Sequence, residues 1–355
     1  KKESFTAEWI EQVSSELHYN DKNLIEKVIR ALSLLEMLVK AGCPLVFKGG
    51  TALMLILGKS AHRLSIDIDL ICPPGTNIED YLKSFADFGF INLELVERKQ
   101  RDDADIPKSH SKFFYQIAYR NDTDAQSYIL LDVLYEDIHY FRTQQIAINC
   151  PFIRLEGKPL MVTVPSAEDI LGDKLTAFAP NTTGIPYYRN GRSCSMEIAK
   201  QLYDVGRLFE NVSDLQITKE AFRKIAVVEL SYRSFGTDIG QVFNDIRQTA
   251  LCISTRGKAG EGDFDLIQDG IIRVKSFMYK QRYLIDHAII DAARAAYLAT
   301  LIEKGINEIE SYSNNPADIK DMVIRPSLPN KLNKLRSNLP EAYYYWAKTS
   351  ELLEA

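Results

Sequence analysis

Cysteine is scarce, and the five that occur (Cys43, Cys72, Cys150, Cys194, Cys252) are scattered and odd in number. None belongs to a CxxC or a Cys/His cluster, which excludes the usual structural zinc patterns. Free thiols in a reducing cytoplasm are the expectation. No apolar run approaches the ~18 residues needed to span a bilayer, and no signal peptide is recognisable. The five histidines (His18, His62, His110, His139, His287) are not spaced as a metal set. A hydrolase elbow of the G-x-S-x-G kind is also missing. Gly58-Lys59-Ser60 ends like a P-loop, but Leu53 stands where the first glycine is required, and the tripeptide follows a helical pattern, not a strand. Positive charge is not in excess. A net charge of −5 and a pI near 5.7 exclude a generally basic nucleic-acid coat protein. They leave room for an enzyme with a local basic patch.

What is present is a soluble composition: 355 residues, 46% hydrophobic and 26% charged, enough for one large or two ordinary domains. The first part reads as mixed α/β. Asp21 opens a helix to about Lys40, with Leu24, Val28, Leu32 and Leu35 on one face and Gly42 as the stop. Leu45 to Phe47 reads as a short strand, Thr51 to Leu57 as a helix, and Leu64 to Ile71 as a strand. A helix is expected around Ile78–Phe88, then strands near Asn92–Glu97, Lys112–Tyr119 and Ser127–Tyr135, with loops at Arg98–Ser109 and Asn121–Gln126. The texture changes near Thr163. From there the periodicity is helical, over Ala167–Phe178, Met196–Phe209, Lys219–Leu230, Ile239–Ile253 and a long stretch from Phe264 to Lys304. The expected division is 1–160, α/β with a mixed sheet, and 161–355, mostly helical.

Chemistry enters with Ser65-Ile66-Asp67-Ile68-Asp69-Leu70. On a strand, Ser65, Asp67 and Asp69 share one face and the apolar residues share the other. Two adjacent carboxylates repel, and either protonation of one or a bound cation relieves this. Their hard oxygens suit Mg²⁺, which shares its shell with substrate phosphates. Upstream, Lys48-Gly49-Gly50-Thr51 ends a strand and opens a helix, a place where backbone N–H groups and a helix's positive end meet phosphate. Asp132 interrupts the apolar run Ile129 to Leu134 and is the candidate third metal ligand. A strand-edge aspartate beside a loop is the alternative.

These segments resemble the AbiEii/AbiGii toxin family of the DNA polymerase β-like nucleotidyltransferase superfamily, which includes toxins of type IV toxin–antitoxin systems. The likeness rests on Lys48-Gly49-Gly50-Thr51-Ala52-Leu53 followed by Arg63-Leu64-Ser65-Ile66-Asp67-Ile68-Asp69-Leu70, and covers roughly residues 40–210. Asp173-Lys174-Leu175-Thr176-Ala177-Phe178 and Lys200-Gln201-Leu202-Tyr203-Asp204-Val205 resemble the family's later motifs. In the family an acid often follows the basic residue of the last motif, and here Gln201 stands there. The resemblance implies a nucleotidyltransferase fold and an NTP held by Lys48, Gly49, Gly50, Thr51, Arg63 and Ser65. It implies Mg²⁺ on Asp67 and Asp69, Lys174 against phosphate charge, and Asp204 positioning the nucleophile or a catalytic group. It further implies a cytoplasmic toxin with an antitoxin partner, acting on tRNA. A protein or small-molecule acceptor, or a non-catalytic nucleotide-binding module, are the alternatives.

Three more features bear on an acceptor. Arg189 and Arg192, beside Tyr187 and Tyr188, lie in a loop between the two later motifs and suit either a phosphate backbone or plain solvation. Lys331 to Arg336 is a basic, helix-like segment with the same two readings. Tyr343-Tyr344-Tyr345-Trp346 is either C-terminal packing or a partner surface.

Overall fold

The computed structural model describes residues 2–96, 108–119, 125–212, 214–232 and 238–355. The chain divides into two compact units. The first is Lys1–Ser166 with Ser276–Arg282, and the second is Ala167–Lys275 with Tyr283–Ala355.

The first unit opens with α1 (Ala7–Glu16) and α2 (Lys22–Lys40). Asp21 caps α2 by accepting the Leu24 N–H at 3.0 Å, and the helix ends where Gly42, at φ +75°, lets the Cys43 N–H reach the Leu38 carbonyl at 3.1 Å. β1 (Val46–Lys48), α3 (Gly49–Leu57) and β2 (Ile68–Cys72) follow, then β3 (Asn92–Val96), β4 (Lys108–Gln116) and β5 (Gln126–Tyr135). These strands form one mixed sheet in the order β1-β2-β5-β4-β3, parallel only between β2 and β5. Alternation along the strands separates two faces. Ile68, Leu70, Phe113, Tyr115, Ile129, Leu131 and Val133 are buried in one core with the apolar side of α2. Each such side chain contributes about 1.5–3 kcal/mol on burial. Asp69, Asp132 and His110 fall on the opposite, less buried face.

Several segments differ from the sequence reading. Around Ile78–Phe88 there are two single 3-10 turns, Ile78–Tyr81 and Phe85–Phe88, the second closed by Gly89 at φ +82°. The strand expected from Leu64 begins only at Ile68, because residues 62–64 have another partner. The Leu64 N–H donates to the Phe277 carbonyl at 2.8 Å, the Tyr279 N–H to the His62 carbonyl at 3.0 Å, and Arg63 bridges to Met278. A hairpin of β6 (Thr143–Ala147) and β7 (Met161–Pro165) completes the unit, though its polar first strand carries no strand signal. Lys108 and Ser109, expected in a loop, belong to β4; most of the Arg98–Ser109 and Asn121–Gln126 loops lies outside the described residues.

The second unit begins with α4 (Ala167–Ala177), a small hairpin β8 (Tyr188–Arg189) and β9 (Arg192–Ser193), and α5 (Ser195–Phe209). It continues with α6 (Gln216–Tyr232), α7 (Ile239–Ser254), α8 (Phe264–Val274), α9 (Ile285–Lys304), the one-turn α10 (Leu335–Asn338) and α11 (Pro340–Glu354). The long helical stretch from Phe264 is therefore broken, with residues 276–282 contributing to the first unit. α9 is buried almost throughout and packs on α5, α7 and α11. The aromatic run on α11 is core: Tyr343 to Trp346 are all buried, and Trp346 Nε1 donates to Ser254 Oγ at 3.0 Å. The segment Lys331–Arg336 is a 3-10 turn running into α10. Among the described residues no helix is long and apolar enough to cross a membrane, and all five cysteines are unbridged.

Where α9 crosses α5, Gly206 is obligatory: a Cβ there would sit 2.0 Å from Asp291 Oδ1. Asp291 is buried beside Arg207 and Arg294, and Arg294 also binds Glu210 at 3.0 Å and Glu341. Burial pushes the Asp291 carboxyl up to about 6 from an ordinary 3.8, against the opposing pull of Arg207 and Arg294. Between these values the native state holds a proton that the unfolded chain releases, so the stabilisation is greatest at low pH and is lost as pH rises through about 6. Asp291→Asn removes this term. The stability of wild type relative to the variant should fall between about pH 4 and 7, measured by urea midpoints at each pH. A constant difference would contradict the assignment.

Candidate active site

The two glycines after β1 set the geometry of the first unit. Gly49 has φ +79°, a left-handed conformation that side-chain-bearing residues rarely adopt. A Cβ on Gly49 would lie 2.1 Å from Asp69 Oδ2, and one on Gly50 would lie 2.7 Å from Ser65 Oγ and 3.0 Å from an Arg63 guanidinium nitrogen. The room left by the missing side chains is thus taken by this protein's own polar groups. Asp69 is brought against the first residue of α3, where the helix's partial positive charge favours an anion.

Thr51, also in the first turn of α3, is fully buried, and its hydroxyl donates to the Asp67 carbonyl at 2.7 Å. That bond ties the helix to the chain just before β2 and so positions Asp67. Arg63 is buried too, with Nη1 donating to the Leu64 carbonyl at 3.1 Å. Lys48, Gly49, Gly50, Thr51, Arg63, Ser65, Asp67 and Asp69 are therefore gathered around one strand–helix junction. The expected strand face, with Ser65, Asp67 and Asp69 in one row, holds only for Asp69. Asp67 and Ser65 precede the paired part of β2.

Strand register extends the site sideways. Lys48 pairs with Asp69, Asp69 with Asp132, and Asp132 with His110, across β1, β2, β5 and β4. Directly opposed residues point to the same face, so one row carries a lysine, two acids and a histidine. His110 Nδ1 binds Asp132 Oδ1. Sequence reasoning missed His110 because its relation to Asp132 exists only through strand pairing, 22 residues apart. Among the described residues no group of three or more His, Cys, Asp or Glu side chains is arranged to hold a metal ion. Asp69 and Asp132 are neighbours in the sheet and Asp67 lies two residues before Asp69, and the three do not form a closed carboxylate cluster. The donors still suit Mg²⁺, which is commonly held by one or two carboxylates plus substrate phosphates.

The second unit holds the other two predicted residues. Lys174 on α4 and Asp204 on α5 are both buried, with Nζ 3.1 Å from Asp204 Oδ2. Lys174 also donates to Gln201 Oε1 at 3.0 Å. Gln201, one helical turn before Asp204, thus supplies a neutral acceptor to the buried ammonium. The ammonium keeps a single buried carboxylate partner among the described ion pairs, an arrangement that is costly to break because either charge alone would be stranded.

The sequence model of one family, described as the nucleotidyl transferase AbiEii toxin of a type IV toxin–antitoxin system, matches residues 32–318. Among solved structures the chain is similar to JHP933 from Helicobacter pylori, at 17% identity and a TM-score of 0.38, over 81% of this chain and 92% of that one. It is also similar to MenT4, a nucleotidyltransferase toxin from Mycobacterium tuberculosis, at 15% identity and a TM-score of 0.49, over 83% and 89% of the two chains. No curated protein matches.

Two left-handed glycines separate backbone strain from site geometry. Gly42 has open space around its Cβ position, whereas Gly49 faces Asp69. Gly42→Ala should cost about 1 kcal/mol of strain and keep any thermal stabilisation that wild type gains from a mixture of the four NTPs with a divalent cation. Gly49→Ala should displace Asp69 and lose most of that stabilisation while the far-ultraviolet circular dichroism stays native. Equal ligand-induced shifts in the two variants would show that the Asp69 approach does not matter.

Proposed function

The chain belongs to the AbiEii family of nucleotidyltransferase toxins of type IV toxin–antitoxin systems, and on that premise we propose that it moves a nucleoside monophosphate from an NTP to a hydroxyl of tRNA, using Mg²⁺. The observation that carries this reading is the Asp69 carboxylate, seated on Gly49 at the start of α3 with Asp67 two residues before it. Acid oxygens and a helix N-terminus at one junction suit a metal–triphosphate: the first for the cation, the second for the anion.

In this reading the backbone N–H groups of the first turn of α3, with Ser65 and Arg63 beside them, orient the triphosphate. Asp67 and Asp69 would hold Mg²⁺, which when bound neutralises charge on the phosphates. Thr51 is a positioning residue, acting through the Asp67 carbonyl. Asp132 is the third candidate ligand, and it could serve through Oδ2 while His110 keeps Oδ1. The acceptor oxygen attacks the α-phosphorus, a new P–O bond forms, the bond to the β-phosphate breaks, and pyrophosphate leaves. The hydroxyl proton passes to water. Lys174 is assigned to phosphate charge and Asp204 to holding Lys174 in position, a role its 3.1 Å ion pair supports. Catalysis of this kind is mostly positioning and electrostatics. An antitoxin partner and a cytoplasmic setting follow from the same family reading.

The test is transfer from each of four α-labelled NTPs to total tRNA, with Asp69→Asn as the control. Label on tRNA from wild type, reduced by about 10³-fold in the variant, is expected if several kcal/mol of stabilisation are removed. Unlabelled tRNA with NTP binding intact would reject RNA in favour of a protein or small-molecule acceptor. NTP binding without transfer to any acceptor would leave a nucleotide-binding module.

A further inference from the structure

Between α4 and α5, the helices that carry Lys174 and Asp204, β8 and β9 form a hairpin with two residues in each strand. It turns on Asn190 at φ +51° and Gly191 at φ +73°. Positive φ at both central residues marks a type I′ turn, the tight connection that Asn-Gly favours. The base of the hairpin is anchored: the Cys194 N–H donates to the Tyr187 carbonyl at 2.9 Å, and the Ser195 N–H to Ser193 Oγ at 3.2 Å. Ser195 is itself fully buried, and a Cβ on Gly270 of α8 would lie 2.1 Å from its carbonyl oxygen, so the segment is clamped from behind.

The tip is built differently. Arg189 pairs directly with Arg192 across the hairpin, both are exposed, and neither guanidinium has a carboxylate partner among the described residues. Like charges directly opposite each other destabilise a strand pair. No carboxylate among the described residues offsets that cost, so two cations are held side by side at an exposed point. Tyr188, next to them, is 56% exposed, unusual for so large a ring. Immediately behind, α5 begins at Ser195, whose N–H is already taken by Ser193 and whose first turn carries Glu197, with Asp269 3.5 Å from the Ser195 hydroxyl, so the cationic character of the tip comes from the two arginines and not from the helix end. Asp204 lies nine residues along that helix from Ser195, roughly 14 Å by helical rise.

We propose that this hairpin docks the acceptor RNA, with Arg189 and Arg192 each taking a backbone phosphate and Tyr188 stacking on an unpaired base. The inference rests on the RNA-acceptor reading above and adds where the strand is held. Paired guanidiniums match phosphate oxygens, and an exposed ring beside them suits a single-stranded end whose bases are unstacked. The overall charge of −5 makes such a local cationic point the more necessary for a polyanion.

Salt dependence tests this directly. A fluorescein-labelled single-stranded RNA of about 12 nucleotides is titrated with wild type, Arg189→Ala/Arg192→Ala and Arg189→Lys/Arg192→Lys between about 50 and 200 mM KCl. Two lost phosphate contacts should reduce the slope of log K against log salt by about 1.4 in the alanine variant, whereas the lysine variant keeps the wild-type slope. Tyr188→Ala should weaken binding about 5- to 100-fold with little change in slope. Circular dichroism checks that each variant is folded. An unchanged slope in a folded alanine variant overturns the docking role. If wild type still labels tRNA in that case, the acceptor reading stands and only the hairpin assignment falls. If wild type neither binds nor labels RNA, both fall. If the alanine variant loses NTP affinity and not RNA affinity, the hairpin serves the triphosphate and the proposal is wrong.

Discussion

The contact between Asp69 and the backbone of Gly49 is the constraint on which the first unit's site depends. A carboxylate that close to a Cα position is possible only if the residue has no side chain, and the left-handed φ at Gly49 has the same requirement. With both met, the strand β2 and the start of α3 share one point. Thr51 then fixes the approach to β2 through the Asp67 carbonyl, and Arg63 and Ser65 cover Gly50. The register through Asp69 carries the site onward to Asp132 and His110 without further loops. The chemistry of the junction follows from packing: the acids are close to a helix's positive end because the glycines let them be.

The second unit follows a different rule, in which charges are buried in compensating sets. Lys174 is matched by Asp204 and eased by Gln201. Asp291 lies among Arg207, Arg294 and Tyr283, and Arg294 is shared with Glu210 and Glu341. Such sets are weak sources of net stability, but they are expensive to half-remove. They fix how α9 meets α5 at Gly206, and α5 is the helix that carries Asp204. The exposed pair Arg189 and Arg192 stands apart from this pattern, since the two like charges brought together there have no carboxylate partner among the described residues.

Much of this was legible in the sequence where the signal was local. The Asp21 cap and Gly42 stop of α2, the short strand before Gly49-Gly50, and most helices after Ala167 follow from periodicity and punctuation. The mixed sheet and the nucleotidyltransferase family were readable from the paired motifs around Gly49 and Asp69. What was not legible depended on distant partners. The strand expected from Leu64 is shortened because residues 62–64 pair with a segment more than 200 residues away, near Phe277 and Tyr279. His110 acquires meaning only once β4 and β5 are in register. The 3-10 turns at Ile78–Tyr81 and Phe85–Phe88 replace an expected helix because hydrophobic spacing does not distinguish one long helix from two short turns. The aromatic run at Tyr343 to Trp346 left burial and partner contact equally open until the packing of α11 on α9 was known.

The central claim is that Asp67 and Asp69 form the metal-binding pair that receives the NTP. It is tested most directly by counting bound Mn²⁺ with electron paramagnetic resonance, in the presence of an NTP, for wild type and Asp67→Asn/Asp69→Asn. The account predicts that wild type removes Mn²⁺ from solution beyond what the nucleotide alone binds, and that the folded double variant does not. Equal uptake by both proteins would contradict it and place the metal elsewhere.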